Sequence, residues 1–323
     1  MITPDSQVLL LLCSHLGLPS DPSFAPLTLR EWNPLARKLQ AKDLRPGALL
    51  DWGEADLRSQ LTLTADESQH LASLLERSGV LAIALERLES LGIYALTRAD
   101  ADYPQRYRQR LKDSAPAVLF YAGEKALLGQ PGIAVVGSRH LDDAGQECAK
   151  FVGNACGISG QVLYSGGAKG VDTLSMDAAL EARGTAVGVL ADSLEKAVRT
   201  RQEALRSGDL CLVTPYSPNA GFSVGAAMGR NRLIYCLADY AIVVASDAET
   251  GGTWAGATET LKNAWVPVFV LDHAQMPDGN KLLLQKGGLP FPHPFRETPL
   301  NLAAWLGEKA AQLPQAPKQL GLF

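Results

Sequence analysis

The chain lacks G-x-x-x-x-G-K-[ST] and lacks G-x-G-x-x-G, the two glycine patterns that lay a nucleotide's phosphates on backbone amides, so no nucleotide cofactor is signalled. It is poor in histidine: the five (His15, His70, His140, His273, His293) are dispersed, and only His140 adjoins a motif, where it reads as a surface residue at a helix start. The five cysteines (Cys13, Cys148, Cys156, Cys211, Cys236) form no C-x-x-C and have no histidine at metal-ligand spacing, which points to buried thiols in a reducing compartment rather than to a metal site. No catalytic nucleophile stands out. Nor does charge of one sign dominate, with 30 Lys and Arg against 34 Asp and Glu. A net charge of -4 argues against indiscriminate adhesion to nucleic acid, so any polyanion site must be local, a basic pocket on an otherwise acidic surface. Nor is there a long apolar run: residues 8–12 are preceded by Asp5 rather than by basic residues, so neither a signal peptide nor a membrane span is expected, and a cytoplasmic location follows. What is present, 46% hydrophobic residues with 30 glycines and 19 prolines, describes a globular chain long enough for two domains.

Residues 1–92 read as a small helical domain. Asp5 or Ser6 is placed to cap a helix running to Leu16, with Gly17 as its stop, and Thr28 to cap another through Leu39. Thr64 and Glu67 have capping-box spacing ahead of Leu71, Leu74 and Leu75 on one face, and a further helix spans 81–91. Apolar runs at 93–97 and 117–123 form a lead-in to a sheet. From Gly132 the pattern is regular: runs at 133–136, 162–164, 186–190, 210–213, 241–245 and 266–271 alternate with helical spacers, as expected of strands buried on both faces by crossover helices. The fold class is α/β, a doubly wound Rossmann-like parallel sheet over residues 93–297 preceded by the helical domain, with a C-terminal helix (301–312) and a tail in 298–323.

Ligands of such sheets bind outside the carboxyl ends of the strands. Polar residues cluster there: Gly137-Ser138-Arg139, then Ser165-Gly166-Gly167-Ala168-Lys169-Gly170, then a loop carrying Gly251-Gly252-Thr253. Glycines let a backbone approach an anion and Lys169 adds a point charge, although the same residues also suit a plain strand-to-helix turn. Arg230-Asn231-Arg232 lies in a helical pattern. Residues two apart on a helix point about 200° apart, so both arginines face one ligand only at a helix start.

These motifs, in this order, together with Asp102-Tyr103-Pro104 and Ala178-Ala179-Leu180, resemble those of the DprA/Smf family of DNA-processing proteins over roughly residues 93–288. The resemblance implies a Rossmann-like, non-enzymatic protein that binds single-stranded DNA, loads RecA and forms a homodimer, acting in natural transformation or recombination. By the same resemblance Arg139, Lys169, Arg230 and Arg232, helped by Asn231 and the glycine amides, contact backbone phosphates, with Tyr216, Phe222 and Trp254 as candidates for stacking on bases. The chain departs from the family where histidine is usual and Met176 stands, at Thr250-Gly251-Gly252-Thr253, and at Ala227-Met228-Gly229, and no winged-helix segment follows. A looser similarity, to LOG-type nucleotide phosphoribohydrolases, makes Glu259 an acid at a ribosyl bond. The final residues Gln319, Leu320, Leu322 and Phe323 resemble the peptide by which replication and repair proteins bind the sliding clamp, and they suit equally an apolar chain end folded back on its own domain.

Overall fold

The computed structural model describes residues 2–18, 24–295, 300 and 302–312, so the clamp-like residues Gln319, Leu320, Leu322 and Phe323 lie outside the described residues. The first half of the chain forms α1 (Pro4–Cys13), α2 (Leu29–Ala41), α3 (Glu54–Leu61), α4 (Ala65–Leu75), α5 (Ser78–Ser90), β1 (Tyr94–Thr97), α6 (Gln105–Leu111), β2 (Val118–Gly123), β3 (Gly132–Gly137) and α7 (Asp143–Ser159). It continues as β4 (Val162–Ser165), α8 (Val171–Glu181), β5 (Ala186–Val189), α9 (Leu194–Thr200), α10 (Gln202–Ser207) and β6 (Leu210–Thr214). The last part is α11 (Val224–Leu237), β7 (Tyr240–Ala245), α12 (Gly251–Asn263), β8 (Val268–Asp272), α13 (Asp278–Gln285), β9 (Leu289–Pro292) and α14 (Leu302–Ala311). Two compact units result, Met1–Gly129 with Val189–Arg230, and Gln130–Gly188 with Asn231–Phe323. Helix α5 ends at Ser90, beside the boundary expected at residue 92, but the helices group with β1, β2 and β6 rather than standing alone.

In the first unit the apolar run at Val8, Leu9, Leu10, Leu11 and Leu12 is core, each residue no more than 2% exposed. Its helix starts earlier than expected. Pro4 lacks an N–H and suits the first helical position, so Thr3 is the cap and accepts from Ser6 N at 3.2 Å. Asp5 instead accepts from Arg45 Nε at 2.6 Å and from Gly47 N at 2.8 Å. The helix also stops at Cys13, short of Leu16, because Ser14 turns extended. The capping box at Thr64 and Glu67 forms as expected, with Thr64 N donating to Glu67 Oε2 at 2.8 Å. Strands β1 and β2, the expected lead-in, pair antiparallel, and β2 pairs antiparallel with β6 (Phe120 opposite Thr214).

The second unit holds the strand order β5-β4-β3-β7-β8-β9, with each neighbouring pair parallel. Numbered within this unit the order is 3-2-1-4-5-6, in which the winding reverses between β3 and β7 and opens a crevice at their carboxyl ends. Strand β9 carries Pro290 and Pro292, which hid it in the sequence; the sheet accepts them because an edge strand need not donate on both sides. The C-terminal helix forms, and its Trp305 packs edge-on against Phe291 at 5.7 Å, with Leu302 and Leu306 buried. Among the described residues no helix is long and apolar enough to cross a membrane.

Candidate functional site

The parallel order brings three connections to one sheet edge: those after β4, β3 and β7. At the end of β3 the register with β7 slips between Val136 and Gly137, and Ser138 N donates to Ala245 O at 2.8 Å, which turns the chain out of the sheet. Arg139 and His140 follow, both exposed. The connection after β4 meets this turn backbone to backbone. Gly170 holds φ at +93°, and a Cβ there would lie 2.7 Å from the Ser138 carbonyl oxygen and 2.8 Å from Arg139 Cα. Only glycine permits that approach, and it places exposed Lys169 one residue from the segment that carries Arg139.

Helix N-termini supply the amides. The start of α7 is already occupied, since the Asp142 carboxylate accepts from Gly145 N at 2.8 Å. The starts of α8 and α12 carry no side-chain cap, at Gly170 and Thr250 respectively, but at α8 Thr173 N donates to Ala168 O at 3.1 Å and the buried Asp172 carboxylate accepts from Ala168 N at 3.2 Å, so the N-terminus better placed to receive an anion is that of α12. Gly251, Gly252 and Thr253 form the first turn of α12. Asp247 and Glu249, both exposed, make the rim beside α12 locally acidic, so the cations of the site come from the Arg139 and Lys169 side.

Helix α11 reaches the same edge through Asn231. A Cβ on Gly252 would lie 2.5 Å from Asn231 Nδ2, and one on Gly256 would lie 2.8 Å from Tyr235 Cε2, so Gly252 and Gly256 form the groove into which Asn231 and Tyr235 fit. Tyr235 is fully buried; burial, and then the charge of Asp172, push its phenol well above the usual range and keep it protonated. Arg232 is half-buried, and its Nε, itself shielded from solvent, has no hydrogen-bond partner among the described residues.

The expected residues do not all gather. Arg230 and Arg232 sit in mid-helix and part company: Arg230 is 5% exposed and donates through Nη1 to the Val189 carbonyl within the first unit. Ser165 is buried and donates to Val135 O at 2.7 Å, which ties β4 to β3. Gly166 is buried and Gly167 exposed. Of the aromatic candidates, Tyr216 is half-buried with its hydroxyl on Ala226 O at 2.8 Å, Trp254 lies 5.8 Å under Lys286 Nζ, and Phe222 is 55% exposed. Glu259, the acid of the phosphoribohydrolase reading, lies eight residues after the first residue of α12, roughly 12 Å along the axis from the phosphate turn, which is too far to serve it.

One positioning residue escaped the sequence. Asn280 is completely buried, accepts from Ser246 N at 2.9 Å and donates to Val244 O and Leu271 O at 3.0 Å each. It fixes the exit of β7 toward α12. Only Pro277-Asp278-Gly279 before it marked a turn, and nothing local showed a polar side chain facing inward.

The sequence model of the family described as DNA recombination-mediator protein A matches residues 94–291. The DNA processing protein DprA of Streptococcus pneumoniae is 32% identical over 181 residues, 54% of this chain and 62% of that protein, so less than two thirds of the relative is spanned. That of Bacillus subtilis is 27% identical over 222 residues, 64% of this chain and 74% of that protein. Among solved structures, DNA processing protein A of Streptococcus pneumoniae has a TM-score of 0.69 at 22% identity, covering 90% of this chain and 95% of that chain. The Helicobacter pylori protein, solved to explain its single-stranded DNA binding mode, has a TM-score of 0.55 at 24% identity and covers 68% and 97%. These structural likenesses establish the fold.

Proposed function

This chain belongs to the DNA recombination-mediator protein A family, and on that premise we propose that its cleft binds the backbone of single-stranded DNA in the cytoplasm, as a binding protein rather than an enzyme, during DNA uptake or recombination. The observation that carries the reading is the contact of Gly170 with Ser138 and Arg139, which sets two exposed cations on neighbouring turns. Cations and amides that meet phosphates give affinity without base choice, as a protein coating a strand of any sequence requires. Arg139→Ala and Lys169→Ala should each weaken oligonucleotide binding and lower the salt slope by roughly 0.7, the value for one lost phosphate contact on a single strand. Unchanged affinity and slope in both variants would overturn the proposal. Mononucleotides in the same assay also test the phosphoribohydrolase alternative, which requires release of free base that Glu259→Ala abolishes.

The reading extends to partners. A homodimer aligns two clefts along one strand, and RecA is the recombinase it loads; sedimentation and co-capture on DNA test these in turn. The tail residues Gln319, Leu320, Leu322 and Phe323 are proposed to engage the sliding clamp, and clamp pull-down that survives their deletion removes that partner.

A further inference from the structure

The first unit carries a cavity of about 590 Å3 between the end of α5, β1, the end of β2, α9 and α10. Its charged lining is Glu124, Glu195, Arg199 and Arg206. Glu195 is already neutralised: Arg87 holds it with two hydrogen bonds of 2.9 Å each. Glu124 accepts from Ala126 N at 2.9 Å. Arg199 and Arg206 are both exposed, and among the described residues neither side chain has an ion pair or hydrogen bond. Two open guanidinium groups therefore face a single unneutralised carboxylate, and the cavity favours an anion.

The remaining chemistry narrows which anion. Tyr94 lines the cavity at 45% exposure, and Tyr121, with ring centroids 5.7 Å apart, fixes its ring. Guanidinium forks match phosphate oxygens in pairs, and a held aromatic ring offers a face to a base. The volume falls in the range of small-molecule sites. We infer that this cavity binds one nucleotide unit, its phosphate on Arg199 and Arg206 and its base against Tyr94, supplied either as a free mononucleotide or as part of a strand.

The test uses the full chain with Arg139→Ala and Lys169→Ala already in place, so that the cleft of the second unit is silenced and the two readings fail separately. Deoxyadenosine monophosphate, inorganic phosphate and an oligonucleotide are titrated calorimetrically. Adding Arg199→Ala and Arg206→Ala should weaken the mononucleotide by about tenfold or more, as expected for loss of charge-assisted hydrogen bonds. Tyr94→Ala should weaken the mononucleotide but not inorganic phosphate, and Tyr94→Phe should retain both. If a strand is the source, the two arginine changes also lower the oligonucleotide's salt slope by roughly 1.4; if the free nucleotide is, that slope stays. The inference is overturned if neither mononucleotide nor oligonucleotide distinguishes the arginine variant from its parent, or if Tyr94→Ala has no effect on either.

Discussion

Gly170 and Gly160 both hold positive φ, at +93° and +68°, but only Gly170 has backbone atoms inside 3 Å of where a Cβ would sit; at Gly160 there is nothing within 4 Å. Alanine at Gly160 therefore meets conformational strain alone, about 1 kcal/mol. At Gly170 it meets strain and collision, about 3 kcal/mol, and pushes the Arg139 turn outward. Chemical denaturation of both variants beside an oligonucleotide titration checks this; equal costs would remove the close approach as the explanation. Asn280→Ala should cost on the order of 3 kcal/mol, because it leaves buried backbone groups at Ser246, Val244 and Leu271 unpaired. The sequence names such residues better than it aims them. Gly170, Lys169 and Arg139 were legible because strand-end glycines and cations are local signals. Arg230 and Ser165 were legible as residue types only, since the direction of a side chain depends on partners 41 and 30 residues away.

Elements follow the same rule of locality. The α4 capping box closes within four residues and was readable in full, whereas Thr3 displaced the expected cap of α1 through the geometry of Pro4, and β9 was masked by its prolines. The box also gives α4 a pH dependence. Hydrogen bonds from the backbone and hydroxyl of Thr64 hold the Glu67 carboxyl below the usual glutamate range. A depressed carboxylate contributes stability that is present above its ordinary range and is lost as pH falls toward the lowered value. The stability difference between the wild type and Glu67→Gln should shrink on acidification from pH 7 to about 3, followed by urea midpoints; a constant difference would show the box to be inert. Helices α11 and α12 depend on a longer-range fit, Asn231 and Tyr235 against Gly252 and Gly256, and Gly256→Val should separate them and weaken DNA binding together with stability.

For the molecule as a whole, alternating runs and spacers sufficed to read the doubly wound sheet, while the grouping of residues 189–230 with the helical segment rests on packing that no run of sequence displays. Burial pushes the Cys148 and Cys156 thiols up to about 12 and raises Cys211 further, so the thiolate fraction at pH 8 is negligible. Iodoacetamide should leave these three unmodified in the native protein and label them only on unfolding, a mass-spectrometric readout of global opening. The pairing of β3 with β7 also sets a timetable. Gly132 and Asp239 meet across 107 residues of chain. At synthesis rates of roughly 5–20 residues per second, the turns carrying Arg139 and Lys169 emerge many seconds before the first turn of α12 exists. The cationic wall of the cleft therefore waits for β7, whose Ala245 carbonyl holds the Ser138 turn, and arrested chains that clear the ribosome but end after α8 should leave the Gly170 turn open to proteolysis and be unable to hold DNA.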